Sequence, residues 1–231
     1  MTVFLVALVV AVLSCIYWLQ TPAAEKVISK KLTAQMQLSV PKTELRVEGI
    51  SLQFPLEIKI QRVIWRTADA EPIAMISPCA VRIRPRGLSA NRLAWEIEGP
   101  VTRLRIASLD RAVGNGEWRA SGEAAGSLQA SGTGSQLEQI RFHVEIVRPG
   151  GGLSSEFLLR LLGMMPDDSS KAVLFKTLAR RPIVHFSTGR ISLITENENY
   201  LLKLWMDGDH LLDITIRVPK ESLSLIGYLL Q

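Results

Sequence analysis

The side chains that could perform chemistry are few and widely separated in this chain. His143, His185 and His210 each lie in or beside a segment with the alternating pattern of a β-strand. A catalytic triad needs a histidine beside a nucleophile and a carboxylate, and neither G-x-S-x-G nor H-E-x-x-H occurs. Asp167 and Asp168 precede a helical pattern, where acidic residues typically stabilise the helix N-terminus. We therefore expect no enzyme; an enzyme would require the three histidines to cluster with acids.

The glycine and cysteine patterns indicate neither a cofactor nor a metal. The glycines of "GTGS" and "GNGE" lack the strand-then-helix context of a phosphate-binding loop. Cys15 lies in an apolar N-terminal run, so Cys79 has no obvious intramolecular partner, and no Cys/His cluster occurs. We expect Cys79 to behave as a small buried apolar residue.

The charge of the chain favours a membrane surface over nucleic acid. Its 231 residues include 27 Lys and Arg against 22 Asp and Glu, a net charge of +5. The basic residues are scattered rather than clustered, which is typical of a surface near anionic lipid and not of a nucleic-acid interface.

The N-terminus predicts a membrane anchor over residues 1–20. Residues 3–19, "VFLVALVVAVLSCIYWL", carry no charge and would span about 25 Å as a helix, close to the thickness of a hydrocarbon core. Tyr17 and Trp18 fall where aromatic rings suit the membrane interface. The alternative is a cleaved signal peptide ending near "TPAA", against which the absence of Lys and Arg before the apolar run argues. The orientation stays open, because Lys26 and its basic neighbours favour a cytoplasmic domain while long domains translocate regardless of such charges.

After the anchor, the pattern predicts a helical stalk over residues 21–42 and a β-rich domain over 43–231. "LRVEGISLQF", "LEIKIQRVIW", "VRIRPR", "IRFHVEIV" and "HLLDITIRVP" alternate with the period of strands. Residues 116–135, rich in Gly, Ser and Ala, indicate short weak strands at a thin edge. Asp207-Gly208-Asp209 indicates a hairpin turn. No βαβ repeat occurs, so the expected fold class is mainly β: a curved antiparallel sheet or groove, with two short helices inserted near residues 154–180.

A sheet with one apolar face must cover that face. A sandwich or closed barrel would do so, and periodicity alone does not reject either. A long curved sheet could instead keep its apolar concave face open to acyl chains. The residues that would line such a groove are Leu56, Ile58, Ile60, Leu93, Trp95, Ile97, Phe142, Val144, Ile146, Val184, Phe186, Leu212, Ile214 and Ile216.

Two helical segments interrupt the strands. The first has Ser154 as an N-cap, Glu156 in its first turn and Pro166 beyond its end. Its apolar stripe, which we expect to cap one mouth of the groove, consists of Phe157, Leu158, Leu161, Leu162 and Met165. The alternatives are packing on the end of a sandwich, or a position on a membrane surface with Arg180 and Arg181 at the headgroups.

These features resemble the C-terminal part of AsmA-like proteins. The matching stretches are 157–166, 173–178, the Phe-bearing strand 184–186 and the "G-x-I-x-L" strand 189–193, preceded by an N-terminal span and by "VEGISLQFPLEIKIQRVIW" and "IAMISPCAVRIRPRGL". The resemblance implies a bacterial inner-membrane protein with a periplasmic β-groove that functions in lipid transport or envelope homeostasis. Two relatives share this outline, the LptC-like lipopolysaccharide transport subunit and the GspN-like subunit of type II secretion.

The sequence thus leads to two hypotheses. The first is a single-pass, non-enzymatic protein that binds phospholipid or lipopolysaccharide acyl chains, with its β domain in the periplasm. The second is a structural subunit of an envelope assembly, of the type II secretion kind, whose sheet edges pair with protein partners.

Overall fold

The computed structural model describes residues 17–18, 21–37, 40–53, 57–85, 93–134, 136–164, 169–178, 182–209 and 211–220. The expected mainly-β class is confirmed, since ten strands form one antiparallel sheet. The strands are β1 (Thr43–Gln53), β2 (Glu57–Thr67), β3 (Pro72–Ile76), β4 (Cys79–Pro85), β5 (Leu93–Arg105), β6 (Ser121–Thr133), β7 (Gln136–Ser154), β8 (Ile183–Glu196), β9 (Asn199–Gly208) and β10 (Leu212–Pro219). The helices of the described part are α1 (Pro22–Gln37), α2 (Ile106–Val113), α3 (Ser155–Gly163) and α4 (Ser169–Leu178).

The strands follow one another across the sheet almost in chain order. β3 and β4 together occupy the position between β2 and β5, with Ser77 and Pro78 between them. β9 and β10 form the expected antiparallel hairpin, but Asp207 and Gly208, expected in its turn, still belong to β9 and pair with β8. Most of the expected membrane anchor, residues 1–16, 19 and 20, lies outside the described residues. Within the described part, no helix combines the length and the apolar character needed to cross a bilayer.

The glycine-rich segment is where the structure differs most from the sequence-based expectation. Residues 116–135 were expected to give weak strands at an edge, but β6 lies in the middle of the sheet and pairs with β5 and β7 along its length. Its small residues leave room for large neighbours. A Cβ on Gly132 would lie 2.6 Å from the ring of Trp95. The segment therefore accommodates neighbouring side chains instead of ending the sheet.

The two ends of the sheet differ in character. At one end, which we call the helix end, the connection after β5 contains α2 and the connection after β7 contains α3 and α4. At the opposite end, which we call the turn end, β1 leads to β2, β4 to β5, β6 to β7 and β8 to β9, and none of these connections contains a described helix. The helices inserted in the sheet therefore all lie at one end.

The hydrophobic core lies at the helix end. α3 contacts β7, β10 and α4. α3 therefore packs on the sheet. The buried apolar side chains of both form one cluster, which includes Val144, Leu158, Leu162 and Ile214.

Asp110 organises the loop that follows α2. Its carboxylate, only 3% exposed, accepts hydrogen bonds from the backbone N–H groups of Trp118 (3.1 Å) and Ala120 (2.9 Å). The ring of Trp118 stacks on Phe157 of α3, with 4.8 Å between ring centroids. Because a carboxylate without these donors would be costly to bury, Asp110 fixes the loop against which α3 packs.

Helix α1 covers the free edge of β1. The segment expected as a stalk, residues 21–42, contains this helix, which lies alongside the first strand. Glu25 accepts hydrogen bonds from the Gly49 and Ile50 N–H groups at 2.6 and 3.2 Å, and Ser29 accepts one from Val47 N–H at 2.9 Å. The Thr33 hydroxyl binds both the N–H and the C=O of Leu45, and the Gln37 amide donates to the Thr43 carbonyl.

The spacing of these contacts has a simple geometric cause. Four residues of an α-helix rise about 6.0 Å, close to the roughly 6.6 Å that two residues of a strand span. Every fourth residue of α1 therefore meets every second residue of β1. The four side chains satisfy edge groups of the strand that a further strand would otherwise bind.

Candidate functional site

The candidate site is the apolar face of the sheet. Strand pairing aligns the expected apolar positions across it, so that side chains from distant parts of the chain become neighbours. One row contains Leu52, Ile58, Val81, Ile97, Ala130 and Ile140. The next row begins with Ile50, Ile60 and Cys79. After Gly99 it continues with Leu128, Phe142, Leu193, Leu202 and Ile216.

Near the helix end this face is closed. Seven of the expected groove residues, which lie near the helix end or on β10, have exposed fractions of 8% or less: Val144, Ile146, Val184, Phe186, Leu212, Ile214 and Ile216. They pack in the same cluster as α3 and the buried residue Leu178 of α4. In the structure these residues form protein core, covered by helices, and offer no open surface for a ligand.

Towards the turn end, Tyr200 and Val218 on β9 and β10 are buried, but from β1 to β7 the face is only partly covered. Ile58, Ile60, Trp95, Ile97 and Phe142 are half-buried. Leu93 is 36% exposed, and Leu56 lies outside the described residues. The apolar face is therefore longer than the helices that cover it, and its uncovered part consists of large aliphatic and aromatic side chains.

Trp95 occupies a fixed position in this uncovered part. Its indole N–H donates to the carbonyl of Gly134 at 3.0 Å. Its ring lies over Gly132, where a Cβ would collide with it. A hydrogen bond at one edge and the contact with Gly132 therefore hold the ring in place. A ligand that packs on its apolar surface would not have to restrict the side chain further.

The helices place most of the expected cap residues in the core. Ser154 is the N-cap of α3 and accepts from Phe157 N–H at 3.2 Å, as expected. Leu158, Leu161 and Leu162 are buried in the core cluster, and Phe157 packs on Trp118. Met165 lies outside the described residues. α3 therefore covers the apolar face at the helix end.

Helix α4 differs from α3, because it leaves apolar side chains in solvent. Val173 is 65% exposed and Phe175 52% exposed. Leu178, in contrast, is fully buried. Arg180 and Arg181, which would reach lipid headgroups if this helix lay on a membrane, are outside the described residues.

The opposite face of the sheet is polar. Arg82 donates to Glu98 at 2.6 Å, Arg103 to Glu123 at 2.6 Å, and Arg190 to Glu145 at 2.9 Å. The hydrogen bond from Arg190 and its charge lower the pKa of the Glu145 carboxyl, as Arg103 does for Glu123. These pairs are largely exposed, so each contributes little stability, and this face is suited to water.

Near the middle of the sheet, a shallow cavity of about 500 Å³ has a mixed lining. It is bounded by Lys59, Pro78, Cys79, Ala80, Glu98, Gly99, Pro100, Ser127, Leu128 and Gln129. The charges of Lys59 and Glu98 make it a poor match for an acyl chain alone. Burial raises the pKa of the Cys79 thiol, and the nearby Glu98 carboxylate raises it further. The expectation that Cys79 is a buried apolar residue is confirmed, since only 4% of it is exposed.

The two described histidines, His143 and His185, are not brought together. His143 lies on the polar face, with its Nε2 atom 3.6 Å from Glu145. His185 pairs with Gly152, nine residues further along β7 than His143. His210 lies outside the described residues. Within the described ranges, no group of three or more His, Cys, Asp or Glu side chains is arranged to hold a metal ion.

Two features of the structure were not anticipated from the sequence. One is the contact of α1 with β1, whose signal is the recurrence of hydrogen-bonding side chains at positions 25, 29, 33 and 37. The other is the buried carboxylate of Asp110, which the sequence does not distinguish from any other acid on a helix. Both depend on backbone groups supplied by a different element.

The chain matches no model of a known protein family, no curated protein and no solved structure. The similarity to AsmA-like proteins therefore rests on the sequence motifs alone.

Proposed function

We propose that the uncovered part of the apolar face binds acyl chains of membrane lipids and performs no chemistry. The observation that carries this proposal is the difference in burial along one continuous face. Ile214 is 1% exposed at the helix end, whereas Ile97 and Trp95 are only half-buried towards the turn end. The side chains of Ile97 and Trp95 are apolar, and the one polar group of Trp95 already donates to Gly134, so this surface suits an acyl chain.

The apolar surface is sufficient for useful affinity. Each buried methylene group contributes about 0.8 kcal/mol, so ten of them contribute about 8 kcal/mol before the costs of association. That corresponds to binding in the micromolar range or weaker. Such an affinity suits a protein that takes up and releases lipid.

The proposed cellular setting follows from the N-terminal sequence and from the AsmA-like motifs. Residues 1–20 would anchor the chain in a bacterial inner membrane, and the β domain would lie in the periplasm. The ligand would then be phospholipid or lipopolysaccharide. The net charge of +5 is compatible with anionic headgroups at that surface.

The test uses neighbouring residues on opposite faces of β5. A photoreactive amino acid is placed at Ile97, on the apolar face, or at Glu98, on the polar face, in the full-length chain in cells. After irradiation, mass spectrometry identifies what is attached. We expect lipid adducts at Ile97 and none at Glu98, because the two positions share the same height and differ only in face.

Two outcomes would contradict lipid binding. Equal adducts at both positions would indicate non-specific labelling of nearby membrane. An adduct between Ile97 and another part of this chain, such as residues 221–231, would mean that the protein covers its own apolar face.

A second candidate is a structural role in an envelope assembly of the type II secretion kind. The observation that favours it is the asymmetry of the sheet edges. α1 covers β1, whereas β10 pairs only with β9 among the described strands. An edge strand can accept a strand from a partner protein. Recovery of a stable protein complex after mild detergent extraction, free of bound lipid, would favour this candidate over the first.

A further inference from the structure

The direction of α1 shows where the N-terminal segment meets the sheet. Along the helix, Glu25, Ser29 and Thr33 contact β1 at successively earlier positions, from Gly49 to Leu45. The two elements are therefore antiparallel. The start of α1 lies towards the turn end, and its last turn lies near Thr43 at the helix end.

The apolar N-terminal run therefore joins the domain at the turn end. Thr21 binds the Trp18 carbonyl through its N–H at 2.9 Å and its hydroxyl at 2.6 Å. Trp18 thus lies before the start of α1, at the end of the sheet where β1 reaches Gln53. Tyr17 is 75% exposed and Trp18 43% exposed, as expected of aromatic residues that lie at a membrane interface.

The same end carries the uncovered apolar side chains. Leu52 follows the part of β1 that contacts Glu25, and it shares a row with Ile58 and Ile97. The covering helices α2, α3 and α4 are all at the opposite end. Two independent features, the attachment of the anchor and the opening of the apolar face, therefore coincide.

We propose that α1 holds the sheet with its turn end against the bilayer that contains residues 3–19, so that acyl chains pass between that bilayer and the uncovered apolar face. The inference rests on the proposed lipid-binding function. Its structural part, the orientation, depends on the contacts between α1 and β1. Because four side chains fix the helix to the strand, the sheet cannot turn freely relative to α1. The occupant of the open end is then bilayer lipid, whereas the helix end faces away from the membrane.

Gln53 and Asp69 test this orientation because they mark the two ends of the same strand pair. Both residues are exposed. β1 and β2 each contain 11 residues, so the two positions are separated by about 35 Å. Each is changed in turn to cysteine, as Gln53→Cys or Asp69→Cys, in a full-length chain that also carries Cys15→Ser and Cys79→Ala.

The labelled protein is reconstituted in vesicles of phosphatidylethanolamine and phosphatidylglycerol. A fluorophore on the cysteine reports contact with a quencher attached to lipid headgroups. We expect quenching to remove most of the fluorescence at Gln53→Cys and to leave that at Asp69→Cys unchanged. Equal quenching, stronger quenching at Asp69→Cys, or none at either position would overturn the inference.

Failure of this inference is distinguishable from failure of lipid binding. Lipid adducts at Ile97 combined with quenching at Asp69→Cys would overturn the orientation and leave lipid binding intact. Quenching at Gln53→Cys without lipid adducts at Ile97 would support the orientation and contradict lipid binding. The proposed route for acyl chains would then be wrong as well.

Discussion

At the scale of single residues, the structure shows how individual reactive or polar side chains are buried. Cys79 lies on the apolar face, 4% exposed, where its thiol packs as an apolar group. The buried carboxylate of Asp110 accepts hydrogen bonds from two backbone N–H groups. These side chains contribute to the stability of the fold.

The reactivity of Cys79 is a prediction at this scale. Burial and the neighbouring Glu98 raise the pKa of the thiol, so little of it is thiolate at pH 8. In a Cys15→Ser background, we expect iodoacetamide to modify native Cys79 roughly tenfold or more slowly than a cysteine in an exposed position, because thiolate fraction and access are both reduced. The reference is a protein that carries Cys15→Ser, Cys79→Ala and Gln53→Cys, so that its one cysteine is exposed. Similar rates for the two cysteines in the native protein would contradict the burial.

At the scale of elements, α1 replaces a strand at the edge of the sheet. Its side chains satisfy backbone groups of β1 from Thr43 to Ile50. Exposed edge strands tend to pair with other chains, and a covering helix prevents this. This contact depends on the match between the repeat of the helix and the repeat of the strand. It therefore cannot be read from the sequence of α1 or of β1 alone.

Removal of one contact should be measurable. In Thr33→Val, the N–H and C=O of Leu45 both lose their partner, and we expect the free energy of unfolding to fall by about 1–2 kcal/mol. Urea denaturation gives the stability, and hydrogen exchange should show faster opening at the Leu45 amide. Thr177→Val in α4 is the matched control, since its exposed hydroxyl binds only the Val173 carbonyl of its own helix. A loss of stability as large as that of Thr33→Val in this control would refute a specific role of the edge contact.

At the scale of the whole molecule, one apolar face has a closed part and a partly covered part. Near the helix end it forms the core that makes the sheet stable, and near the turn end it is left partly uncovered. Ile214 and Ile97 have the same chemistry and lie on the same face, but only Ile214 belongs to the buried cluster that includes the helices. Stability and the proposed binding therefore depend on different parts of a continuous surface.

The same substitution at Ile214 and at Ile97 should separate folding from the proposed lipid binding. In Ile214→Asp, a carboxylate in the closed core costs about 3–5 kcal/mol or more, comparable with the whole stability of a domain, so we expect loss of folding. In Ile97→Asp the carboxylate can reach water, so circular dichroism should show a folded β protein with cooperative unfolding.

Lipid binding of Ile97→Asp is then the informative measurement. With the photoreactive amino acid placed at Trp95, lipid adducts should be lost, because a charge in the middle of the uncovered face opposes acyl chains. Unfolding of Ile97→Asp to the same extent as Ile214→Asp would mean that the face is closed core along its whole length.

The sequence by itself determined the local structure of this protein. Alternation along β2, β7 and β10 fixes which side chains share a face, because successive residues of a strand point to opposite sides whatever lies around them. The N-cap at Ser154 is equally local, since its hydroxyl binds an N–H three residues away. Antiparallel pairing follows from short connections between alternating segments.

Only the tertiary structure decided which part of the apolar face is covered. The period of a strand is the same at Ile97 and at Ile214, so no pattern distinguishes the half-buried residue from the buried one. The difference depends on where α2, α3 and α4 are inserted between the strands. The central position of β6 and the contact of α1 with β1 have the same origin, because each requires partners from elsewhere in the chain, whose arrangement local periodicity does not encode.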